Sequence, residues 1–315
     1  MSRSGFAILI GRPNVGKSTL TNALVGQAVA ITSSRPQTTR HTIRGVLNRG
    51  EDQVVLVDTP GIHRPRTLLG RRLNDLVLAT LAEVDVVVLC LPADQRVGPG
   101  DRFIAERLRE LRRQRLVVVI TKADSVPREV VAERLMEADG FATEMGLEVA
   151  EFVPVSALDG ANVDELAGVL AEMMPEGPRL FGDELTDQPE RVVVAELIRE
   201  AALERLRDEL PHSVAVDIDE MGLREGRPED DPLMDIYAGR PEDDPLMDIY
   251  AVLYVERASQ KPIVLGRRGE LLKQIGKESR GKIEALLGNR VYLDLHVKVA
   301  KDWQNNPSQL RRLGF

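Results

Sequence analysis

The stretch GRPNVGKS, Gly11 to Ser18, follows five apolar residues, FAILI, and opens an amphipathic segment. Glycine, four residues, glycine, lysine and serine is the spacing of a phosphate-binding loop between a strand and a helix. Gly11 and Gly16 let the backbone wrap closely round an anion, with amide hydrogens turned inward at a helix N-terminus. The expected contacts run through Gly11, Asn14, Val15, Gly16, Lys17, Ser18 and Thr19. Lys17 is expected at the β and γ phosphates, and Ser18 on a magnesium ion.

A strand and helix joined in this way predict the architecture around them. The apolar runs FAILIG, QVVLVD, DVVVLCL, LVVVITK and EFVPVSA alternate with helical candidates at 16–24, 71–81, 100–112, 128–145 and 163–173. Continuously apolar strands alternating with helices indicate a mostly parallel sheet covered on both faces, an α/β P-loop domain. Residues 42–48 add an edge strand. The expected domain covers 1–174, and the polar Pro/Gly-containing segment 175–189 is expected as a linker. Residues 190–315 then read as a smaller α+β domain: helix 190–207, strands 213–219 and 252–257, short helices 270–275 and 277–287 parted by Gly276, and strand 291–299. Val193, Leu197, Ala201 and Leu206 are expected near the buried face of its first helix.

The chain has 315 residues, 43% hydrophobic and 29% charged, which excludes a disordered protein. Its N-terminus lacks the apolar length of a signal peptide or membrane span, so a cytoplasmic protein is expected. Cys90 is the only cysteine, which rules out an intrachain disulfide, and it reads as a core thiol. The four histidines have no metal-ligand spacing. The net charge of −8 argues mildly against nucleic acid as a partner, but nine Lys/Arg face only three Glu between Arg257 and Arg290.

Further chemistry lies at strand ends. Asp58 opens DTPG after QVVLV, where a carboxylate binds magnesium through water and the amide of Gly61 meets a γ-phosphate. TKAD, Thr121 to Asp124, ends LVVVI. Asp124 accepts both hydrogens that guanine presents at N1 and its amino group, bonds that adenine leaves unmade. Lys122 is expected to pack along the base, and the amide of Ala157, after Ser156, to donate to guanine O6.

These elements in this order resemble the translation-factor-related GTPases, and Gln37-Thr38-Thr39-Arg40-His41 narrows the resemblance to the Era/TrmE-like branch. The resemblance implies GTP and GDP as ligands, with Mg²⁺ joined in the GTP state by Thr39, or alternatively Thr38. Thr121 stands where that family has Asn, so guanine selectivity is expected to rest on Asp124, and the tie from this position to the phosphate loop is left in question. Ile62 occupies the place of a water-orienting glutamine, so slow hydrolysis is expected. The resemblance also implies a potassium ion beside the phosphates, held through Asn14. Lys17, Thr39 and Gly61 are the expected catalytic residues.

In the second domain, Gly266-Arg267-Arg268-Gly269 follows KPIVL, read as extended, and precedes a helix. Two glycines around basic residues let backbone amides and guanidinium groups meet nucleic-acid phosphates. In a helix-strand-strand-helix-helix-strand order this resembles a type II KH domain, with Lys261, Lys273, Lys277, Arg280 and Lys282 as further backbone contacts. Trp303 reads as a packing anchor. The whole chain resembles the Era family, which implies binding to the 3′ region of 16S-type ribosomal RNA, 30S subunit assembly, a monomer, and peripheral membrane contact. Two alternatives are an assembly factor whose nucleotide site is only structural, and a P-loop ATPase, which TKAD opposes.

The phrase GRPEDDPLMDIYA occurs twice without mismatch, at 226–238 and 239–251, each copy carrying a net −3. The second copy runs into VLYVER with alternating apolar residues, so it is expected to supply the strand and the first copy an extended loop.

Overall fold

Val, Ile and Leu dominate the strands of the first unit because both faces of its sheet are covered. β1 (Ser4–Ile10) leads through the phosphate loop into α1 (Lys17–Val25), then β2 (Ile43–Arg49), β3 (Asp52–Asp58), α2 (Leu68–Leu81), β4 (Val86–Pro92), α3 (Pro99–Leu108), β5 (Arg115–Thr121), α4 (Arg128–Met145), β6 (Val149–Pro154) and α5 (Val163–Met173). This computed structural model describes residues 2–32, 38–110, 115–182, 188–207, 210–224 and 246–315. They fall into two units, Met1–Gln188 with Phe315, and Pro189–Gly314. Gln37, part of the expected linker and the whole first copy of the repeat lie outside the described residues.

The first sheet has the order β2-β3-β1-β4-β5-β6. β2 is the antiparallel edge strand, and the other pairs are parallel. Alternation along β1 builds two cores: Ala7 and Leu9 join Leu20, Leu56 and Leu170 on one face, while Ile8 and Ile10 join Val77, Ile104 and Phe141 on the other. Strand β1 lies between β3 and β4, so the chain crosses to opposite sides of it, and a crevice opens at the carboxyl ends of these strands. The expected linker is fastened over its first half. Ser4 donates to the Pro175 carbonyl at 3.0 Å, and the Gln53 amide exchanges three bonds of 2.9–3.0 Å with Leu180 and Phe181.

The second unit runs α6 (Glu190–Arg205), α7 (Leu210–Ser213), β7 (Ala215–Leu223), β8 (Leu246–Val255), α8 (Lys261–Leu265), α9 (Glu270–Leu287), β9 (Arg290–Val299) and α10 (Pro307–Arg312). β7 pairs antiparallel with β8, and β8 parallel with β9. Three strands and a helix pair between β8 and β9 are found as expected, but the pair is α8 and α9 instead of two halves of one segment, and α7 and α10 are additional. KPIVL is helical, because Pro262 stands in a first turn, where its missing N–H is harmless. The helix after GRRG is continuous through Gly276: Ile275, Ser279 and Ile283 share its buried face, which outweighs the roughly 1 kcal/mol glycine penalty. Ser213 ends a helical turn, and the strand begins at Ala215. The buried face of α6 is carried by Val194, Ile198, Ala201 and Ala202, with Val193 and Leu197 only partly covered. Strand β8 begins inside the second copy of the repeat; Ile249, Ala251, Leu253 and Val255 are buried as expected, but Val252 and Tyr254 on the alternate face are buried too, leaving only Tyr250 exposed. Trp303 is buried as an anchor, its Nε1 donating to the Ser213 carbonyl at 2.9 Å. Among the described residues, no helix is long and apolar enough to cross a membrane.

Candidate functional site

The phosphate loop turns into α1 at Gly16, whose φ of 96° is a left-handed conformation that glycine adopts without strain. Lys17 lies buried beneath the loop, its Nζ donating to the carbonyls of Arg12 at 3.2 Å and Gly11 at 3.5 Å. The DTPG loop rests on the phosphate loop. Ile62 donates its amide to the Gly11 carbonyl at 3.1 Å, and a Cβ on Gly61 would lie 2.6 Å from the Pro13 nitrogen, so residue 61 must be glycine. Asn14, Gly16, Lys17, Ser18, Thr39 and Gly61 line one cavity here. Ile62 itself is buried in the core, and its aliphatic side chain has no polar atom with which to orient a water.

Ser18 at the start of α1, Thr39 ahead of β2 and Asp58 at the end of β3 converge. The Ser18 hydroxyl donates to Asp58 Oδ2 at 2.6 Å; Thr39 Oγ1 lies 2.8 Å from Ser18 Oγ and 3.3 Å from the same carboxylate oxygen. Asp58 Oδ1 is buried with no hydrogen-bond partner among the described residues. Burial pushes the Asp58 carboxyl up and the Lys17 ammonium down, and their mutual attraction only partly opposes this. A cation beside Asp58 and an anion beside Lys17 relieve both. Two hydroxyls and a carboxylate are a hard oxygen donor set that fits magnesium, which when bound neutralises phosphate charge. It is the Thr39 hydroxyl that meets Ser18 and Asp58.

A second cavity, of about 210 Å³, shares Gly16 and Thr19 with the first and extends over Thr121, Lys122, Asp124 and Ala157. Asp124 is held by the Ser156 hydroxyl, which donates to its Oδ1 at 2.7 Å. Lys122 takes a left-handed φ of 55° and its Nζ meets Asp94 at 3.1 Å, which lays its stem along the cavity. Thr121 Oγ1 donates to the Val15 carbonyl at 2.5 Å, so the tie to the phosphate loop exists. Val15 is thus reached from the end of β5.

Loop Gly266–Gly269 joins α8 to α9, not a strand to a helix. Gly266, Arg268 and Gly269 have φ of 71°, 55° and 80°, and a Cβ on Gly266 would meet Leu271 at 2.7 Å. Arg267, Arg268, Lys261, Lys273, Lys277 and Arg280 are exposed, the last three on one face of α9. Lys282 differs: its ammonium is held by Glu200 at 2.8 Å on α6, so it serves helix packing and leaves the basic face.

Two further contacts escaped the sequence reading. Arg12 Nε donates to Asp101 Oδ1 at 2.8 Å, tying the phosphate loop to α3. Asn22 on α1 accepts from Val29 and Ala30 at 3.0 and 2.8 Å and donates to the Ala30 carbonyl at 2.7 Å, fastening the chain ahead of the loop that carries Thr39. Neither carries a motif; only the capping position of Asp101 could have drawn notice.

Residues 6–122 match the 50S ribosome-binding GTPase family, and residues 238–304 the KH domain family. GTPase Era of Streptomyces coelicolor is 58% identical over 99% of this chain and 95% of its own length. GTPase Era of Mycobacterium avium is 57% identical over 99% of each chain. A crystal structure of Era with MgGDPNP and nucleotides 1506–1542 of 16S ribosomal RNA superposes with a TM-score of 0.88 at 36% identity, covering 100% of this chain and 99% of that one. An Aquifex aeolicus Era variant bound to GDP and AlF4⁻ gives 0.87 at 37% identity, over 99% of both chains. With a P-loop site that fits magnesium and a guanine nucleotide in one unit and a KH fold in the other, the chain belongs to the Era family of GTPases.

Proposed function

We propose that this GTPase is a switch that binds the 3′ region of 16S-type ribosomal RNA through its KH unit and acts in 30S subunit assembly. The observation that carries the switch is the convergence of Thr39 on Ser18 and Asp58 beside Lys17. Thr39 lies in the loop before β2, so a ligand that engages it orders that loop, and γ-phosphate loss releases it. In this reading Lys17 neutralises the transferred phosphoryl group and Gly61 offers its amide. Ser18 and Thr39 bind Mg²⁺, with Asp58 acting through water. Gly11, Val15, Gly16 and Thr19 cradle the phosphates, and Lys122, Asp124, Ser156 and Ala157 read the base. Asn14, held at a left-handed φ of 64°, helps position a potassium ion that would add positive charge beside the β and γ phosphates. Equal turnover in Na⁺ and K⁺ at matched ionic strength would remove that role.

On the KH side, the exposed Arg267, Arg268, Lys261, Lys273, Lys277 and Arg280 contact phosphates around the loop bounded by Gly266 and Gly269. We read the protein as a cytoplasmic monomer whose contact with the inner face of the membrane is peripheral. The test is binding of a 16S 3′-end RNA fragment with GDP and with GDPNP, for the wild type and for Gly269→Asp. Affinity should differ between nucleotides and fall in the variant; equal affinity with both nucleotides sinks the switch. Phosphate release should vanish in Lys17→Ala, and release that persists there would reduce the cleft to a structural site.

A further inference from the structure

Thr121 ends β5 where the phosphate loop and the base-reading loop meet, and its side chain is buried. Its Oγ1 lies 2.5 Å from the Val15 carbonyl and 3.4 Å from the Leu91 carbonyl. Both partners are acceptors, and a threonine hydroxyl carries a single proton. At these distances the proton belongs to Val15. Nothing remains on this side chain to donate elsewhere.

Guanine presents donors at N1 and the exocyclic amine and an acceptor at O6 on one edge, and the acceptor N7 on the other. Asp124 is fixed by Ser156 to take the donors. A reader of N7 has to be a donor. Of the polar side chains lining the cavity here, Thr121 has committed its proton, the Ser125 hydroxyl donates to the Lys122 carbonyl at 2.7 Å, the Lys122 ammonium is drawn to Asp94 at 3.1 Å, and Thr19, at the start of α1, is assigned to the phosphates.

We infer that Thr121 is a positioning residue that ties the base-reading loop to the phosphate loop through Val15, and that the site therefore takes guanine nucleotides by their Watson–Crick edge with N7 left unread. This rests on the assignment of the cleft to guanine nucleotides. The site then accepts nucleotides altered at position 7 and still rejects adenine, because the discriminating bonds lie on the other edge.

The test compares dissociation constants of GDP, 7-deaza-GDP and ADP for the full chain and for Thr121→Ser, Thr121→Val and Thr121→Asn. The wild type and Thr121→Ser, which keep the hydroxyl, should bind GDP and 7-deaza-GDP within about twofold of each other. Thr121→Val keeps the shape but loses the tie, so both nucleotides should weaken together by about tenfold with their ratio unchanged. Thr121→Asn has two amide protons, enough for the tie and for N7, and should gain a preference for GDP of several-fold. A wild type that binds 7-deaza-GDP ten times more weakly than GDP, or a Thr121→Val that binds like the wild type, overturns the inference while leaving guanine binding intact. A wild type that binds ADP as well as GDP overturns the guanine assignment itself.

Discussion

Thr38 and Thr39 are adjacent and buried, and the sequence alone offers either as the magnesium-binding threonine. The structure brings the Thr39 hydroxyl to Ser18 and Asp58. Thr39→Ala should lower GTP turnover on the order of 10²-fold and raise the magnesium concentration needed, since a ligand for developing charge is lost. Thr38→Ala should stay within about threefold of the wild type. Phosphate release across a magnesium titration reads both, and the opposite ranking would reassign the residue. At Cys90, in the middle of β4, burial pushes the thiol up to about 12. At pH 8 almost no thiolate exists, so a disulfide reagent should fail to label the native protein and should label it fully on unfolding. Labelling of the native state at the rate of an exposed thiol would mean that the central sheet opens.

Helices 128–145 and 163–173 fall where their periodicity puts them, and the interior glycines Gly140 and Gly168 do not end them. Around GRRG local signals misled. Gly276 reads as a stop, yet Ile275, Ser279 and Ile283 bury one continuous stripe across it. A Cβ built at Gly276 meets nothing within 4 Å, so Gly276→Ala should stabilise the protein by about 0.5–1 kcal/mol, seen as a raised urea midpoint with unchanged slope. A lowered midpoint would mean that the helix is strained at that point. At α3 the stakes run the other way. Asp101 is fully buried, accepts from the Gly98 amide at 2.8 Å and pairs with Arg12, which keeps about a quarter of its side chain in solvent. Asp101→Ala loses the cap and leaves the guanidinium short of a partner, a loss of about 2 kcal/mol after discounting for that exposure. Asp101→Asn, retaining an acceptor, should lose about half as much.

Across the whole chain, the residues proposed for phosphate, metal and base could be picked out in sequence because each such role demands a particular residue type near a strand end, and the fold brings Ser18, Thr39 and Asp58 together. The supports were not. Thr121 and Val15 are 106 residues apart and Arg12 and Asp101 are 89 apart, so only the folded sheet brings them together. The doubled phrase poses the converse question, since it is conspicuous in sequence and yet falls in the connection between β7 and β8, with only its last six residues, 246–251 at the start of β8, among the described residues. The ends of that connection are pinned: Arg224 donates its amide to the Leu246 carbonyl at 2.9 Å, and its guanidinium grips Asp248 at 2.7 and 2.9 Å. The ladder then continues from Leu223↔Met247 down β7 and β8. Deleting 226–238 leaves these pairs and the second copy in place while shortening the connection from residues 225–245 by one copy. Shorter closure favours the folded state by about 0.9 kcal/mol. Net charge changes from −8 to −5, because the removed copy carries one Arg against one Glu and three Asp. The deletion should therefore leave GTP turnover unchanged and raise the urea midpoint slightly. It should also strengthen RNA binding by less than about threefold, an effect that fades as salt rises. A fall in stability would mean that the first copy packs against the KH unit, and a loss of RNA binding that persists at high salt would give the duplicated segment a role of its own.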